Sequence, residues 1–263
     1  MRIGILLFTL VLVLPVAISL AADDDSDALF AKASRHLNDE EFEEAVAALN
    51  RVIAADGDRA AAYYHRGRAL FRLNEVAKSV KDFDHYVKLR PQIESRQWER
   101  GIAMYYAKLY KRGAAQFALY QTYHDNDVEN SVWRFLCMTP TDGFAKARQA
   151  MLPIKNDRRV PMMQIYEMFR GELTPDEVLA ECRKDKPSAE VLDGRLFYAR
   201  LYLGLYYEAA GKKELAKKYI YLAADEHKDS KRINNYMWAV ADVHAKRLRA
   251  AAKSAPREKP QKR

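Results

Sequence analysis

The stretch Tyr64-His65-Arg66-Gly67-Arg68-Ala69-Leu70-Phe71 decides the fold. It reads as a helix with a small residue in its middle, and a residue without a side chain lets another backbone approach closely. Asp82-Phe83 follow in a second helical stretch, which Pro91 ends. The pattern predicts two antiparallel helices that cross tightly at Gly67.

The same pattern recurs when the chain is shifted by 34 residues. Each unit has a small residue in its first helix, a large apolar residue in its second helix, and a helix-ending Gly or Pro. The matched positions are Ala33, Gly67 and Gly101; Leu49, Phe83 and Phe117; Tyr86 and Tyr120; and Gly57 and Pro91. Residues 29–126 are therefore predicted to form three tandem repeats.

These units resemble the tetratricopeptide repeat, a helix pair of 34 residues. A later copy is similar at the family's own spacing, with Leu203-Gly204, Tyr207, Gly211, Ala216 and Ala223, and Gly211 takes the turn between its helices. The resemblance implies an all-α solenoid of antiparallel helix pairs. No alternating apolar run indicates a strand.

The regions between and after the repeats are helical but irregular. Residues 127–187 are predicted to form two hairpins, in which 139–142 turn the chain between helices at 131–138 and 144–152. Thr174 and Glu177 have the spacing of a capping box at the start of a further helix. Residues 188–231 form the late repeat, and 232–249 a C-terminal helix that caps the stack.

The order of these units is similar to that of NlpI-type cell-envelope proteins of bacteria. The resemblance is clearest in Glu167-Met168-Phe169-Arg170-Gly171-Glu172-Leu173-Thr174 and Phe197-Tyr198-Ala199-Arg200-Leu201-Tyr202-Leu203-Gly204. It implies an adaptor that holds proteins together, such as a protease and its substrate. That family is lipid-anchored, whereas in this chain no cysteine directly follows the first apolar run.

Residues 1–21 have the layout of a secretory signal peptide: Met1-Arg2, an apolar run from Ile3 to Ile18, and Ser19-Leu20-Ala21 before the expected cleavage point. The alternative is a retained anchor helix, although the run is shorter than the roughly 20 residues of a bilayer span. Cleavage predicts an exported protein, periplasmic or secreted, that is soluble once the signal is removed.

Charge is concentrated at the two ends of the mature chain. The net charge is +8, and residues 246–263 hold eight basic side chains against one acidic side chain. Residues 22–28 form an acidic leader, so the folded middle is near neutral and the basic pI does not indicate a nucleic-acid-binding protein. The tail, 250–263, is predicted to be disordered. It serves solubility or makes weak contact with anionic membrane or envelope polymer.

No catalytic, metal or cofactor spacing is present. The chain lacks a Gly-rich phosphate loop and a His-Glu-x-x-His motif, and none of its six histidines has a second His, a Cys or a paired carboxylate at ligand spacing. We therefore expect a non-enzyme, with an uncharacterised catalytic function kept as the alternative. Cys137 and Cys182 lie on apolar helical faces and are either two buried thiols or a single disulfide.

The predicted binding surface is the face of each first helix that helix pairing does not use. Two rows at 34-residue steps carry aromatic residues or leucine, and a middle row lies between them. The predicted groove comprises Phe30, Ser34, Leu37, Tyr64, Arg68, Phe71, Trp98, Ile102 and Tyr105. Aromatic side chains of this kind are typical of binding hot spots.

An apolar groove of this length needs an occupant. A protein or peptide partner would make the chain a scaffold or adaptor, whereas a second copy would make the groove a homodimer interface. The chain's own later helices are the third candidate, and then these residues are core.

Overall fold

The computed structural model describes residues 25–254, which form thirteen α-helices, one 3-10 helix and no strand. The signal peptide, the start of the acidic leader and residues 255–263 of the basic tail lie outside the described residues. The helices are α1 (Ser26–Asn38), α2 (Phe42–Ala55), α3 (Ala60–Arg72), α4 (Val76–Leu89), the 3-10 helix (Pro91–Arg96), α5 (Trp98–Tyr106), α6 (Tyr110–Tyr120), α7 (Val128–Asp142), α8 (Phe144–Gln149), α9 (Met162–Arg170), α10 (Pro175–Glu181), α11 (Ala189–Ala209), α12 (Lys213–Glu226) and α13 (Asn235–Ser254).

Helices pair in chain order, and the small and large residues of each repeat meet where the pairs cross. A Cβ added to Gly67 would lie 3.4 Å from the Phe83 ring, and one added to Gly101 would lie 2.7 Å from the Phe117 ring. Gly204 is equally close to Ile220 in the late repeat. The predicted register of small and large residues is therefore confirmed at both glycines.

The two glycines differ in how much room they leave, which predicts different effects of alanine. Both substitutions gain about 1 kcal/mol of helix propensity. Gly67→Ala meets ordinary van der Waals contacts, whereas Gly101→Ala drives a methyl group into the buried Phe117 ring. Because overpacking costs about 1 to 3 kcal/mol, we expect G101A to be less stable than G67A by that amount in denaturant unfolding. Equal midpoints for the two variants would contradict the tight crossing at Gly101.

The turn inside each repeat places one residue in the left-handed region. Glu40, Asn74 and Lys108 have φ values of 58°, 61° and 60°, and Gly211 has 74° at the equivalent point of the late repeat. This turn was predicted only at Gly211. Asn74 also belongs to a residue type that favours positive φ, whereas Glu40 and Lys108 do not. The spacing of 34 residues is the signal that could have found them.

Several predicted boundaries need correction. The first helix begins inside the acidic leader, where the Asp25 carboxylate accepts a hydrogen bond from the Asp27 amide and caps α1. α13 starts three residues after the predicted position and continues to Ser254, so residues 250–254 are helical and not part of a disordered tail. Alanines in this stretch favour the helix despite its charge.

The expected turn at 139–142 is also wrong, because α7 runs through Pro140 and ends at Asp142. Pro140 removes the amide that would donate to the Leu136 carbonyl, and only two residues of the helix follow it. Gly143, with φ of 85°, makes the actual break before α8. The capping box at Thr174 and Glu177 is confirmed.

One large hydrophobic core runs from α3 to α13, and a smaller cluster joins α1, α2 and the start of α3. Cys137 and Cys182 are both buried and unbridged, which selects the thiol interpretation. Within residues 25–254, no helix combines the length and the apolar character of a bilayer span. The same residues contain no group of three or more side chains suited to hold a metal ion.

Candidate binding groove

The predicted groove lies on α1, α3 and α5, but its residues differ widely in exposure. Phe71 and Ile102 are fully buried. The other seven remain partly exposed: Phe30, Ser34, Leu37, Tyr64, Arg68, Trp98 and Tyr105. The groove is therefore covered along part of its length.

The cover at Phe71 and Trp98 is the chain's own helix α13. Tyr236, near the start of α13, stacks on the Phe71 ring with centroids 5.0 Å apart and meets the Trp98 ring edge-on at 5.4 Å. Its hydroxyl donates to the Glu99 carbonyl at 3.4 Å. Stacked and edge-on pairs of this kind stabilise a packed aromatic cluster.

The second half of α13 is held by polar contacts. The Tyr106 hydroxyl and His244 Nδ1 are 2.9 Å apart, and His244 Nε2 lies 3.3 Å from a Glu208 carboxylate oxygen. Arg247 donates to the Asn74 side-chain oxygen at 2.7 Å and to the Tyr106 carbonyl at 2.9 Å. These contacts fix α13 along the concave face of the second and third repeats.

Internal filling therefore accounts for a large share of the predicted groove. Phe71 and Ile102 belong to the core, because no surface of theirs remains for a partner. Tyr105 packs edge-on against the buried Trp133 of α7 at 5.5 Å. Fewer of the predicted groove residues are therefore available to a partner. The part that stays open lies at the first repeat and its junction with α3.

That open part is a cleft of about 440 Å³ between α1, α3 and α13. Three predicted groove residues line it: Ser34, Leu37 and Arg68. The chain adds others that the sequence reasoning missed, which are Asn38, Glu40, Phe42, His65, Ala69, Arg72, Asn235, Tyr236 and Ala239. Arg72 follows Arg68 by one helical turn and could have been found from that spacing.

Arg72 is the central charged group of the cleft. Its guanidinium lies between the rings of Phe42 and Trp238, at 4.7 and 5.0 Å from their centroids, and donates to the Glu40 carboxylate at 2.9 Å. Burial lowers the pKa of Arg72, and its second terminal nitrogen has no hydrogen-bond partner among the described residues. A buried donor without a partner is costly, so this side chain is suited to meet an acceptor.

Arg68 faces a second buried charge. Its Nε lies 3.6 Å from a carboxylate oxygen of Glu99, which is 7% exposed. Burial raises the pKa of Glu99, and its other carboxylate oxygen has no hydrogen-bond partner within the described part of the chain. The cleft thus combines an apolar wall, formed by Leu37 and Phe42, with two arginines, each paired with one carboxylate.

Comparison with known protein families identifies one of the repeats. Residues 60–93, which span α3, α4 and the start of the 3-10 helix, match the tetratricopeptide repeat. The fold is an all-α solenoid of the tetratricopeptide type. The match covers one of the repeated units, and it is the unit whose sequence pattern is the most regular.

A solved structure described as "MamA RS-1 ArsTM double mutant" is also similar. It shares 16% sequence identity, with a TM-score of 0.47, over 85% of this chain and 97% of that chain.

Proposed function

We propose that this protein is a non-catalytic scaffold that binds a segment of another protein in the cleft between α1, α3 and α13. The observation that carries the proposal is the cleft itself, which remains open between α1, α3 and the start of α13. Stacked helix pairs form extended concave surfaces that suit peptide binding.

The chemistry of the cleft indicates the kind of segment. Leu37 and Phe42 form an apolar wall, while Arg68 and the unpaired nitrogen of Arg72 are donors that suit a hydrogen-bond acceptor. The segment that fits has an apolar side chain next to an acidic or other acceptor side chain. Charge-assisted hydrogen bonds to arginine would then set its register.

We place this scaffold in the bacterial cell envelope, as a soluble protein after removal of residues 1–21. Support comes from the signal-like start of the sequence and from the resemblance of residues 164–247 to NlpI-type envelope proteins. Intact mass of the protein from its native source tests the location: the expected chain starts at Ala22 and has no lipid attached.

Site-specific crosslinking tests the cleft. A photoreactive residue in place of Leu37 is expected to crosslink a second protein in the native cell, whereas one in place of the exposed Lys111 on α6 is not. With that protein purified, Leu37→Asp should weaken binding by about thirtyfold, as for loss of a hot-spot contact. The midpoint of unfolding should change little because Leu37 is partly exposed.

Two results would contradict the proposal. Equal crosslinking from both positions would mean that the cleft is not the binding surface. Crosslinking of the chain to itself, together with a dimer mass in light scattering, would instead support the homodimer alternative.

A further inference from the structure

A second opening lies on the other side of α13, between α5 to α7 and α11. It is a pocket of about 200 Å³, and five aromatic side chains form much of its wall: Trp98, Phe117, Tyr120, Trp133 and Tyr198. Trp98 is also a predicted groove residue, so this pocket is where the third repeat remains accessible beside Tyr236. Aromatic rings attract a cation that lies over their faces.

The polar part of the pocket has an excess of negative charge. Asp127 and Glu129, at the start of α7, line it together with Arg159. Arg159 donates to Asp127 at 2.7 Å, to Glu129 at 2.6 Å and to Asp157 at 2.6 Å. A single guanidinium therefore pairs with three carboxylates. Among residues 25–254, no other cation forms an ion pair with these three carboxylates.

Two further observations agree with that imbalance. Burial and the nearby Asp127 raise the pKa of Glu129 even though Arg159 is in contact with it. The Arg159 side chain is half exposed, so its charge is partly screened by water. The hydroxyls of Tyr120 and Tyr202 also donate to Asp127 and Glu129, at 3.2 and 2.6 Å, but these donors are neutral and leave the excess negative charge in place.

Asn130 adds an unpaired acceptor to the lining of the pocket. It lines the pocket and is 2% exposed, and its amide nitrogen donates to the Gln121 side chain at 2.7 Å. Its amide oxygen has no hydrogen-bond partner among the described residues. A buried acceptor of this kind is normally satisfied, and an N–H donor in the pocket would satisfy it.

We propose that this pocket binds an alkylammonium group. Aromatic faces attract cations within about 6 Å of the ring centroid, and recognition of ammonium ligands by aromatic walls follows from that attraction. The carboxylates of Asp127 and Glu129, together with the unpaired amide oxygen of Asn130, match a positively charged N–H donor. An anion would meet the excess negative charge, and a neutral apolar group would desolvate the carboxylates without compensation.

Two kinds of ligand carry such an ammonium group. One is a lysine side chain in the bound protein segment, and the other is a free small amine. The first source rests on the proposed scaffold function, and the second does not.

Calorimetry on the purified full-length protein tests the pocket, with N-acetyl-lysine methylamide, butylammonium and the uncharged N-acetyl-norleucine methylamide as probes. We expect the lysine probe or butylammonium to bind at least about tenfold more tightly than the norleucine probe, because only they gain cation–π and charge contacts. Tighter binding of the lysine probe indicates a protein lysine, and tighter binding of butylammonium indicates a free amine. Failure of both cations to bind at about 10 mM, or equal binding of the norleucine probe, would overturn the proposal.

Variants distinguish this pocket from the cleft. Trp98→Leu and Asp127→Asn are expected to weaken binding of the cationic probe by about tenfold, the latter keeping an N-cap side chain for α7. Leu37→Asp, on the other side of α13, serves as the matched control and should leave probe binding unchanged. If neither Trp98→Leu nor Asp127→Asn weakened it, the assignment to this pocket would be wrong. If the cationic probe binds but Leu37 gives no crosslink, the scaffold proposal fails while this one stands.

Discussion

A chain that ends at Asn234 is expected to lose stable folding in the part of the solenoid that α13 covers. α13 contributes Tyr236, Met237, Val240 and Val243 to the core, each 2% exposed or less. Full burial of one such side chain is worth about 1.5 to 3 kcal/mol, so the four together reach about 6 to 12 kcal/mol. Because the whole stability of a domain is about 5 to 15 kcal/mol, the remaining helices should not hold the native arrangement.

Circular dichroism during denaturant unfolding and binding of a dye specific for exposed apolar surface measure this loss. A chain that ends at Ser254 is the control, since it keeps α13 and lacks only residues 255–263. The control is expected to unfold like the full-length protein. A truncation at Asn234 with an unchanged midpoint and no dye binding would show that α13 does not fill the groove.

Phe71→Ala is expected to lower the free energy of unfolding by about 3 to 5 kcal/mol, the cost of truncating a buried aromatic side chain. The Phe71 ring has no exposed surface and lies between Tyr106, at 5.5 Å, and Tyr236, at 5.0 Å. Its removal leaves a cavity shared by α3, α5 and α13, and three helices cannot all move to close it.

Leu109→Ala provides the contrast, because Leu109 is 38% exposed in the turn between α5 and α6. Its effect should stay within about 0.5 kcal/mol, as for most surface substitutions. Thermal or denaturant unfolding of both variants against the parent protein decides the point. A small effect of Phe71→Ala on the free energy of unfolding would instead indicate that Phe71 faces a partner.

α13 divides the predicted groove. It occupies the concave face of the second and third repeats and leaves one opening on each side. The cleft beside α1 offers arginines, and the pocket beside α7 offers carboxylates and aromatic rings. A partner that used both openings would need an acidic group and an ammonium group on either side of α13.

The 34-residue repeat could be predicted from the sequence because its evidence is local. A helix pair places its small and large residues sixteen positions apart, as Gly67 and Phe83 show, and the next pair repeats the spacing. The capping box of Thr174 and Glu177 is local in the same way. Helix type, pairing order and the tight crossings follow from such short-range patterns.

Only the tertiary structure decided which part of the groove stays open. Tyr236 reaches Phe71, and His244 reaches Tyr106 across 138 positions of the chain. Arg159, in the segment between α8 and α9, pairs with Asp127 and Glu129 at the start of α7, and Tyr202 donates to Glu129 across 73 positions. Periodicity reports which side chains share a face of one helix, but it holds no information on which distant helix will cover that face, because that depends on how the whole stack curves and closes.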